Sequence, residues 1–277
     1  MEKVFVPPIK IQGIKTKIVP LIQKSASLST DSVWIEPFMG SGVVGFNIAA
    51  KEAIFADTNP YIIDFYNRIK EGDITSQKVR AFLEKEGKML ETGDSDYYYC
   101  VRDRFNAHHD ALDFLFLNRA CFNGMIRFNK NYKFNVPYGT KIVNQVKYVE
   151  DMLKTHSWIF LCQSFEKTIA MAGPKDFIYC DPPYIGRHVD YYDRWDEESE
   201  IALSRALSQS GAKFMLSTWD HNDYRQNEYI DTVWAFCHKV TREHFYHVGA
   251  KQENRNPVIE ALLTNYAITG NANELLE

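Results

Sequence analysis

Short apolar runs alternate with amphipathic segments along much of the chain. The run SVWIEPFMGSG reads as a strand that stops at Pro37 and enters a glycine-rich turn. VVGFNIAAKE continues as a helix and AIFAD as a second strand ending at Asp57, so residues 33–57 predict a strand–helix–strand unit. Pro60 then suits the first turn of a further helix in PYIIDFYNRIKEG. The N-terminal part therefore predicts an α/β fold.

This alternation is interrupted between residues 72 and 148. The stretch is charged, rich in Tyr and Asn, and lacks strand-like apolar runs before its basic part, so we expect an inserted, mainly helical domain. Afterwards the α/β rhythm resumes with WIFLC, DFIYC, an amphipathic helix within DEESEIALSRALSQSG, KFMLST, and the late β-rich runs DTVWAFCHKV and VIEALLTNY. The pattern predicts a catalytic domain at 1–71 and 149–277, divided by an insert at 72–148.

Composition narrows the class of protein. The chain has 277 residues, of which 45% are hydrophobic and 25% charged, and no apolar run long enough to span a bilayer. The start, MEKVFVPPIK, lacks the features of a signal peptide, so we expect a cytoplasmic protein. The five cysteines include no C-x-x-C pair, which favours buried thiols over a disulfide framework or a metal site.

Charge is distributed unevenly along the chain. The formal net charge is −4, yet residues 114–147 contain six basic residues and no acidic one. Aromatic and amide side chains are interleaved with these cations in NRACFNGMIRFNKNYKFNVPYG. A local positive field with such neighbours favours a nucleic acid as the partner over a merely solvated basic face.

The first chemical motif is the glycine loop Gly40-Ser41-Gly42-Val43-Val44-Gly45. It is a G-x-G-x-x-G that follows a predicted strand and opens a helix, with Asp57 at the end of the next strand. Glycines let a ligand approach the backbone closely, and an acid in this position can accept hydrogen bonds from ribose hydroxyls. The loop predicts a nucleotide-containing cofactor. NAD and S-adenosylmethionine both satisfy it, and the loop alone does not separate them.

The second motif is Asp181-Pro182-Pro183-Tyr184, which also follows a predicted strand. Ligands bind at the carboxyl ends of strands in open α/β sheets, so both motifs should share one crevice. The Asp181 carboxylate and the Pro182 carbonyl can accept both N–H bonds of an exocyclic amine, while Tyr184 stacks on its base. Alignment of that amine with a sulfonium methyl group favours S-adenosylmethionine, and a duplex base would have to flip out to reach it.

The order of the motifs resembles that of a known enzyme family. EPFMGSG, ADTNPYIIDFYN, LNRACFNGMIRFNKNYKFNVPYG, YCDPPY and NRNPVIEALLTNY are similar, in this order, to the Dam-type adenine-N6 DNA methyltransferases of the D12 class, α group. The resemblance implies a Rossmann-like S-adenosylmethionine-dependent methyltransferase fold. Its sheet should be seven-stranded and mostly parallel, with one antiparallel strand near the end, and its helical insert should recognise the target.

The implied activity is methylation of adenine N6 in a short duplex DNA site. A palindrome such as GATC or CATG is the family expectation, in a prokaryotic or phage-encoded enzyme that is a monomer or weak dimer. A cognate restriction endonuclease would be a functional rather than a physical partner. The alternatives are an RNA base methyltransferase with the same DPPY chemistry, an NAD-dependent oxidoreductase, which leaves the DPPY motif unexplained, and a non-catalytic DNA-binding protein.

The resemblance also assigns roles to individual residues. The catalytic set is Asp181, Pro182, Pro183 and Tyr184. The cofactor-binding set is Lys15, Phe38, Gly40, Ser41, Gly42, Asp57, Phe165 and Asp181. Side-chain chemistry in the insert, rather than the resemblance, predicts the DNA-binding set, in which Arg suits guanine and Asn suits adenine: Arg119, Asn123, Arg127, Asn129, Lys133, Asn135 and Tyr138. We expect about half of these residues to touch DNA, while the others cap turns or pack under the insert. Lys15 matches the lysine of the family's W-x-G-G-K motif, although Ile11 and Ile14 replace its tryptophan and its second glycine.

Overall fold

A computed structural model describes residues 3–11, 13–49, 51–122, 125–126, 136–185, 195–222, 224–245 and 257–268. One large sheet organises this part of the chain. In chain order its strands are β1 (Trp34–Glu36), β2 (Glu52–Asp57), β5 (Ser157–Cys162), β6 (Phe177–Cys180), β7 (Lys213–His221), β8 (His238–Phe245) and β9 (Pro257–Thr264). A separate two-stranded hairpin is formed by β3 (Cys121–Phe122) and β4 (Met125–Ile126).

The order of strands across the large sheet is β5-β2-β1-β6-β7-β9-β8. The first five strands are parallel, and β9 runs antiparallel to both of its neighbours. The chain moves outward from β1 through β2 to β5 and, on the other side, outward from β6 to β7. The point where this direction reverses lies between β1 and β6 and opens a crevice at their carboxyl ends. The predicted Rossmann-like fold with one antiparallel strand is confirmed.

Helices cover both faces of the sheet. They are α1 (Val19–Ser25), α2 (Gly45–Ile48), α3 (Pro60–Glu71), α4 (Ser76–His108), α5 (Ala111–Ala120), α6 (Val136–Thr155), α7 (Phe165–Ile169), α8 (Glu197–Ser210) and α9 (Glu228–Thr232). Side chains along β6 alternate between two cores: Phe177 and Tyr179 join one, and Ile178 and Cys180 the other. Burial on both faces explains why this strand reads as a continuous apolar run.

The described residues of the segment between β2 and β5 are mainly helical. α4 packs on α5 and α6, and α3 contacts α5 and α6. Val79, Val101, Leu115 and Val146 of these helices are buried in the same hydrophobic cluster as Trp34 of the sheet. The insert is thus packed through a core shared with the sheet, and its description as a separate recognition domain stays a prediction.

The late β-rich run DTVWAFCHKV differs from its prediction. α9 ends at Thr232, a turn follows, and the strand β8 begins only at His238. The apolar residue at the centre of that run, Trp234, is buried between α8 and the sheet, where its indole Nε1–H donates to Glu200 at 2.7 Å. The first half of this run is therefore apolar because it packs against α8, not because it forms a strand. Within the described ranges, no helix is both long enough and apolar enough to cross a membrane.

Gly45 closes the contact between α2 and the sheet. A Cβ at this position would overlap the Phe55 ring and the Glu36 carboxylate, both of which are buried. We expect Gly45→Ala to lower the free energy of unfolding by about 1–3 kcal/mol, because the core must shift to admit the methyl group. Urea denaturation measures this change. Gly173→Ala is the matched control, because the nearest atom to its Cβ is Asp176 Oδ2 at 3.5 Å. Equal losses in the two variants would contradict the packing argument.

Candidate functional site

The glycine loop leaves β1 at the reversal point of the sheet. Gly40 and Gly42 have positive φ angles of 52° and 79°, which explains the glycines at these positions. The Gly40 N–H donates to Asp57 Oδ2 at 2.8 Å, and Tyr66 OH donates to the Ser41 carbonyl at 2.8 Å. The loop is therefore fixed by hydrogen bonds to Tyr66 of α3 and to Asp57 at the end of β2.

Asp57 has a double role in this loop. Its Oδ1 accepts a hydrogen bond from the Asn59 N–H at 2.9 Å, while its Oδ2 accepts one from the Gly40 N–H. Burial raises the pKa of Asp57, and hydrogen bonds from the backbone N–H groups of Asn59, Gly40 and Thr58 oppose that shift. Each carboxylate oxygen can accept a second hydrogen bond, so Asp57 can bind ligand hydroxyls while it anchors the loop.

Three aromatic side chains pack together beside the glycine loop, which begins just after Phe38. The rings of Phe38 and Phe165 stack with centroids 5.5 Å apart, and Trp195 meets both at 5.5 and 5.6 Å. The Trp195 indole Nε1–H donates to Glu200 Oε2 at 2.6 Å, which fixes its ring. The structure thus brings together the predicted pair Phe38 and Phe165. The sequence reasoning missed Trp195, whose position follows from the Glu200 contact on α8.

The DPPY motif leaves β6 on the other side of the reversal point. Lys15 Nζ lies 3.2 Å from Asp181 Oδ1 and 3.6 Å from Glu260 Oε1, and it also donates to the Gly13 carbonyl at 3.2 Å. Tyr184 OH donates to the same Glu260 oxygen at 3.3 Å, and Lys15 Nζ sits 4.8 Å from the Tyr184 ring centroid. Lys15, Asp181, Tyr184 and Glu260 form one contiguous cluster, hereafter the carboxylate–lysine cluster.

Pro182 and Pro183 give the motif its rigidity. Pro182 is buried and Pro183 partly buried, directly after the four buried residues of β6. A proline cannot continue the ladder of the sheet and has its φ angle restricted by its ring. The Asp181 carboxylate and the Pro182 carbonyl are therefore presented on a backbone with little freedom.

Two acids, at the ends of β1 and β6, have raised pKa values. Burial raises the pKa of Asp181 to about 6, Lys15 opposes this shift, and Glu260 adds to it. Glu36, at the end of β1, is buried and accepts the Trp34 Nε1–H at 2.9 Å. Burial raises the pKa of Glu36 to about 8, partly countered by that bond, so Glu36 is largely protonated at neutral pH. One cation then faces two carboxylates, Asp181 and Glu260.

The sequence analysis did not anticipate Glu260. Its strand, β9, is antiparallel, so the first residues of β9 lie where the parallel strands end. The sequence indicates this residue only as an acid inside the apolar run VIEALLTNY. A glutamate in a strand is usually expected to be exposed. Glu260 is 3% exposed.

Most of the predicted DNA-binding set lies outside the described residues: Asn123, Arg127, Asn129, Lys133 and Asn135. The backbone of Tyr138 belongs to α6, but its side chain lies outside the description. Arg119 is described, at the end of α5, where its Nη1 donates to the Pro8 carbonyl at 3.2 Å. These residues keep the status of predicted DNA contacts.

Comparisons with known proteins identify the family of this chain. The family model of the D12 class N6 adenine-specific DNA methyltransferases matches residues 12–253, which include both motifs. A DNA adenine methylase of Haemophilus influenzae is 34% identical over 73% of this chain and 72% of its own length. The type II methyltransferase M.MjaIII of Methanocaldococcus jannaschii is 31% identical over 94% of this chain and 99% of its own. A DNA adenine methylase of Serratia marcescens is 30% identical over 76% and 83%.

The family match thus covers both the glycine loop and the DPPY motif, and one relative aligns over nearly its whole length. The sequence-based assignment is confirmed at that level. This chain belongs to the D12 class of N6 adenine-specific DNA methyltransferases.

Proposed function

We propose that this protein transfers a methyl group from S-adenosylmethionine to N6 of an adenine flipped out of a short, palindromic duplex DNA site. The observation that carries the proposal is the meeting of the glycine loop and the DPPY motif at one reversal point of the sheet. One motif suits an adenosine-containing cofactor and the other an exocyclic amine. A single crevice can therefore hold donor and acceptor side by side.

The residues around the glycine loop fit the cofactor. Asp57 has acceptor capacity for ribose hydroxyls, and the stacked Phe38 and Phe165 rings offer apolar surface for an adenine. Gly40 and Gly42 let the backbone approach the ligand without a side chain intervening. When bound, S-adenosylmethionine supplies an electrophilic methyl group on a sulfonium. A cation of this kind is favoured next to the excess negative charge of Asp181 and Glu260.

Asp181 and Pro182 would orient the adenine amine. Its nitrogen lone pair is delocalised into the base, so it is a weak nucleophile. Two acceptors that bind both N–H groups favour a tetrahedral nitrogen whose lone pair points at the methyl group. Transfer forms an N–C bond and breaks the S–C bond, after which the nitrogen must release one proton. The Asp181 carboxylate, with a pKa of about 6, can accept that proton and pass it to water.

Tyr184 supplies the surface on which the flipped base stacks. Base–aromatic stacking contributes about 1–3 kcal/mol per base in nucleic-acid sites, which offsets part of the cost of unstacking from the duplex. The Lys15 ammonium lies over the Tyr184 ring, 4.8 Å from its centroid. The base would therefore use the opposite face of the ring. The helical insert, through the predicted set around Arg119, would select the DNA sequence.

The first test concerns Asp181. We expect Asp181→Ala to abolish transfer and Asp181→Asn to reduce the single-turnover rate at least about 100-fold, because both remove the anionic acceptor. The assay follows tritium from labelled cofactor into adenine N6 of plasmid DNA. Asp64→Asn is the control, since Asp64 is half-exposed on α3 and pairs with Arg68 at 2.8 Å. Label in ribosomal RNA but not in DNA would contradict the proposed substrate, and full activity of Asp181→Ala would contradict the proposed centre.

The second test concerns the cofactor. Asp57→Ala removes the ribose acceptor and the partner of the Gly40 N–H, so we expect S-adenosylmethionine to bind at least about tenfold more weakly. Isothermal titration calorimetry on the wild type, this variant and the Asp64→Asn control measures the change in Kd. An unchanged Kd in Asp57→Ala would contradict its role. NAD that binds more tightly than S-adenosylmethionine would contradict the cofactor assignment.

A further inference from the structure

Glu260 contacts Tyr184 and Lys15, and the proposed chemistry has so far used only its charge. It pairs with Trp219 of β7 and Arg242 of β8 in the antiparallel ladder. This part of β9 lies at the carboxyl ends of the parallel strands, where the DPPY motif begins. One of its oxygens, Oε1, is 3.3 Å from Tyr184 OH and 3.6 Å from Lys15 Nζ. A single buried carboxylate thus contacts both the stacking ring and the cation beside Asp181.

We propose that Glu260 is a positioning residue for methyl transfer, which holds the Tyr184 phenol and takes over the Lys15 ammonium when the substrate amine binds to Asp181. This inference rests on the proposed function of the DPPY motif. It adds a residue that touches neither cofactor nor adenine and acts through Tyr184 and Lys15.

The position of Lys15 supports the exchange between carboxylates. Its ammonium is 3.2 Å from Asp181 and 3.6 Å from Glu260, and the Lys15 side chain is only 5% exposed. A buried ammonium that loses its carboxylate partner is strongly destabilised unless a second anion replaces it. Asp181 Oδ1 must turn toward the amine to accept its N–H bond. A small movement of the Lys15 ammonium would then bring it into a closer ion pair with Glu260.

The bond to Tyr184 supports the positioning of the base. Backbone rigidity at Pro182 and Pro183 restrains one end of the Tyr184 side chain, and the bond from its hydroxyl to Glu260 restrains the other. With both ends restrained, the plane of the ring is defined before the base arrives. A misplacement of about 1 Å can cost on the order of 100-fold in rate, so this restraint should be visible in kinetics.

The charged and titratable groups that face Asp181 permit a prediction about pH. Lys15 and Glu260 contact or flank it, while Glu36, Tyr179 and Cys180 lie beside it with pKa values raised by burial. Glu260 contributes to the raised pKa of Asp181, so its neutralisation lowers that pKa. Transfer requires ionised Asp181 and falls as the pH drops through its pKa. The acidic limb of the rate profile should therefore move to lower pH in Glu260→Gln.

The experiment measures single-turnover methyl transfer to duplex DNA from pH 4.5 to 9, bounds chosen to bracket the Asp181 pKa of about 6. The proteins are wild type, Glu260→Gln, Tyr184→Phe and the double variant. We expect Glu260→Gln to slow transfer about 10- to 100-fold and to shift the acidic limb downward, with cofactor Kd changed less than about threefold. Tyr184→Phe keeps the stacking ring and should slow transfer about 3- to 10-fold. The double variant should lose less than the product of the two single losses, since the residues share one bond.

Glu86 provides a matched control. It is a buried glutamate in the helical insert, and its carboxylate accepts Tyr97 OH at 2.6 Å and an Arg104 N–H at 3.0 Å. Glu86→Gln also perturbs a buried glutamate that binds a tyrosine hydroxyl and a basic side chain, but this glutamate lies in the insert, away from the DPPY motif. It should reduce stability without moving the acidic limb of the transfer rate. A shift of that limb equal to the Glu260→Gln shift would indicate a general structural effect and would overturn the proposal.

Other outcomes separate this inference from the proposed function. A wild type that labels adenine N6, together with an inactive Asp181→Ala, upholds the function whatever Glu260 does. With that result in hand, a wild-type rate and acidic limb in Glu260→Gln would overturn the positioning role, as would strict multiplicativity in the double variant. If Glu260→Gln does not fold, Tyr184→Phe provides the test. A wild-type single-turnover rate in Tyr184→Phe would show that the bond between Tyr184 and Glu260 does not position the base, and would overturn the proposal.

Discussion

Parallel pairing between β1 and β6 is the constraint on which the site depends. Trp34 and Ile35 of β1 pair in register with Phe177 and Ile178 of β6, and all of these residues are fully buried. Because the chain leaves β1 toward one edge of the sheet and leaves β6 toward the other, the loops after these strands diverge and leave a crevice. The glycine loop and the DPPY motif thus follow two neighbouring strands that are paired with each other and fully buried.

Electrostatics within the crevice depends on which acids stay ionised. Glu36 lies at the end of β1, but burial keeps it mostly protonated at neutral pH, with a pKa of about 8. Asp181 and Glu260 share the Lys15 ammonium, which lies 3.2 Å from the first carboxylate and 3.6 Å from the second. Buried ionic groups of this kind contribute little to folding compared with apolar packing of the same volume. The apolar cores on the two faces of the sheet therefore account for more of the stability than this cluster does.

The N-terminal segment that precedes Lys15 is bound to the insert. The preceding N-terminal segment is bound to α5 through paired bonds between the Lys10 backbone and the Asn118 side chain, at 2.8 and 2.9 Å. It is bound to α6 by the Gln145 side chain, whose Nε2 donates to the Val6 carbonyl at 2.7 Å. The ring of Phe5 stacks on Tyr148 with centroids 3.9 Å apart. The segment just before the carboxylate–lysine cluster is therefore attached to the helices expected to recognise DNA.

Local sequence determined the elements and the two motifs. The apolar run around Trp34 ends at Pro37, and the run around Phe177 lies between Pro174 and Pro182. Such boundaries can be identified without knowing the partners of the strands. The glycine loop and the DPPY tetrapeptide carry their chemistry within four to six residues. Only the tertiary structure brought Glu260 and Trp195 to the site and made β8 begin as late as His238. These depend on the antiparallel direction of β9 and on the packing of α8, which are long-range contacts that no local pattern of residues specifies.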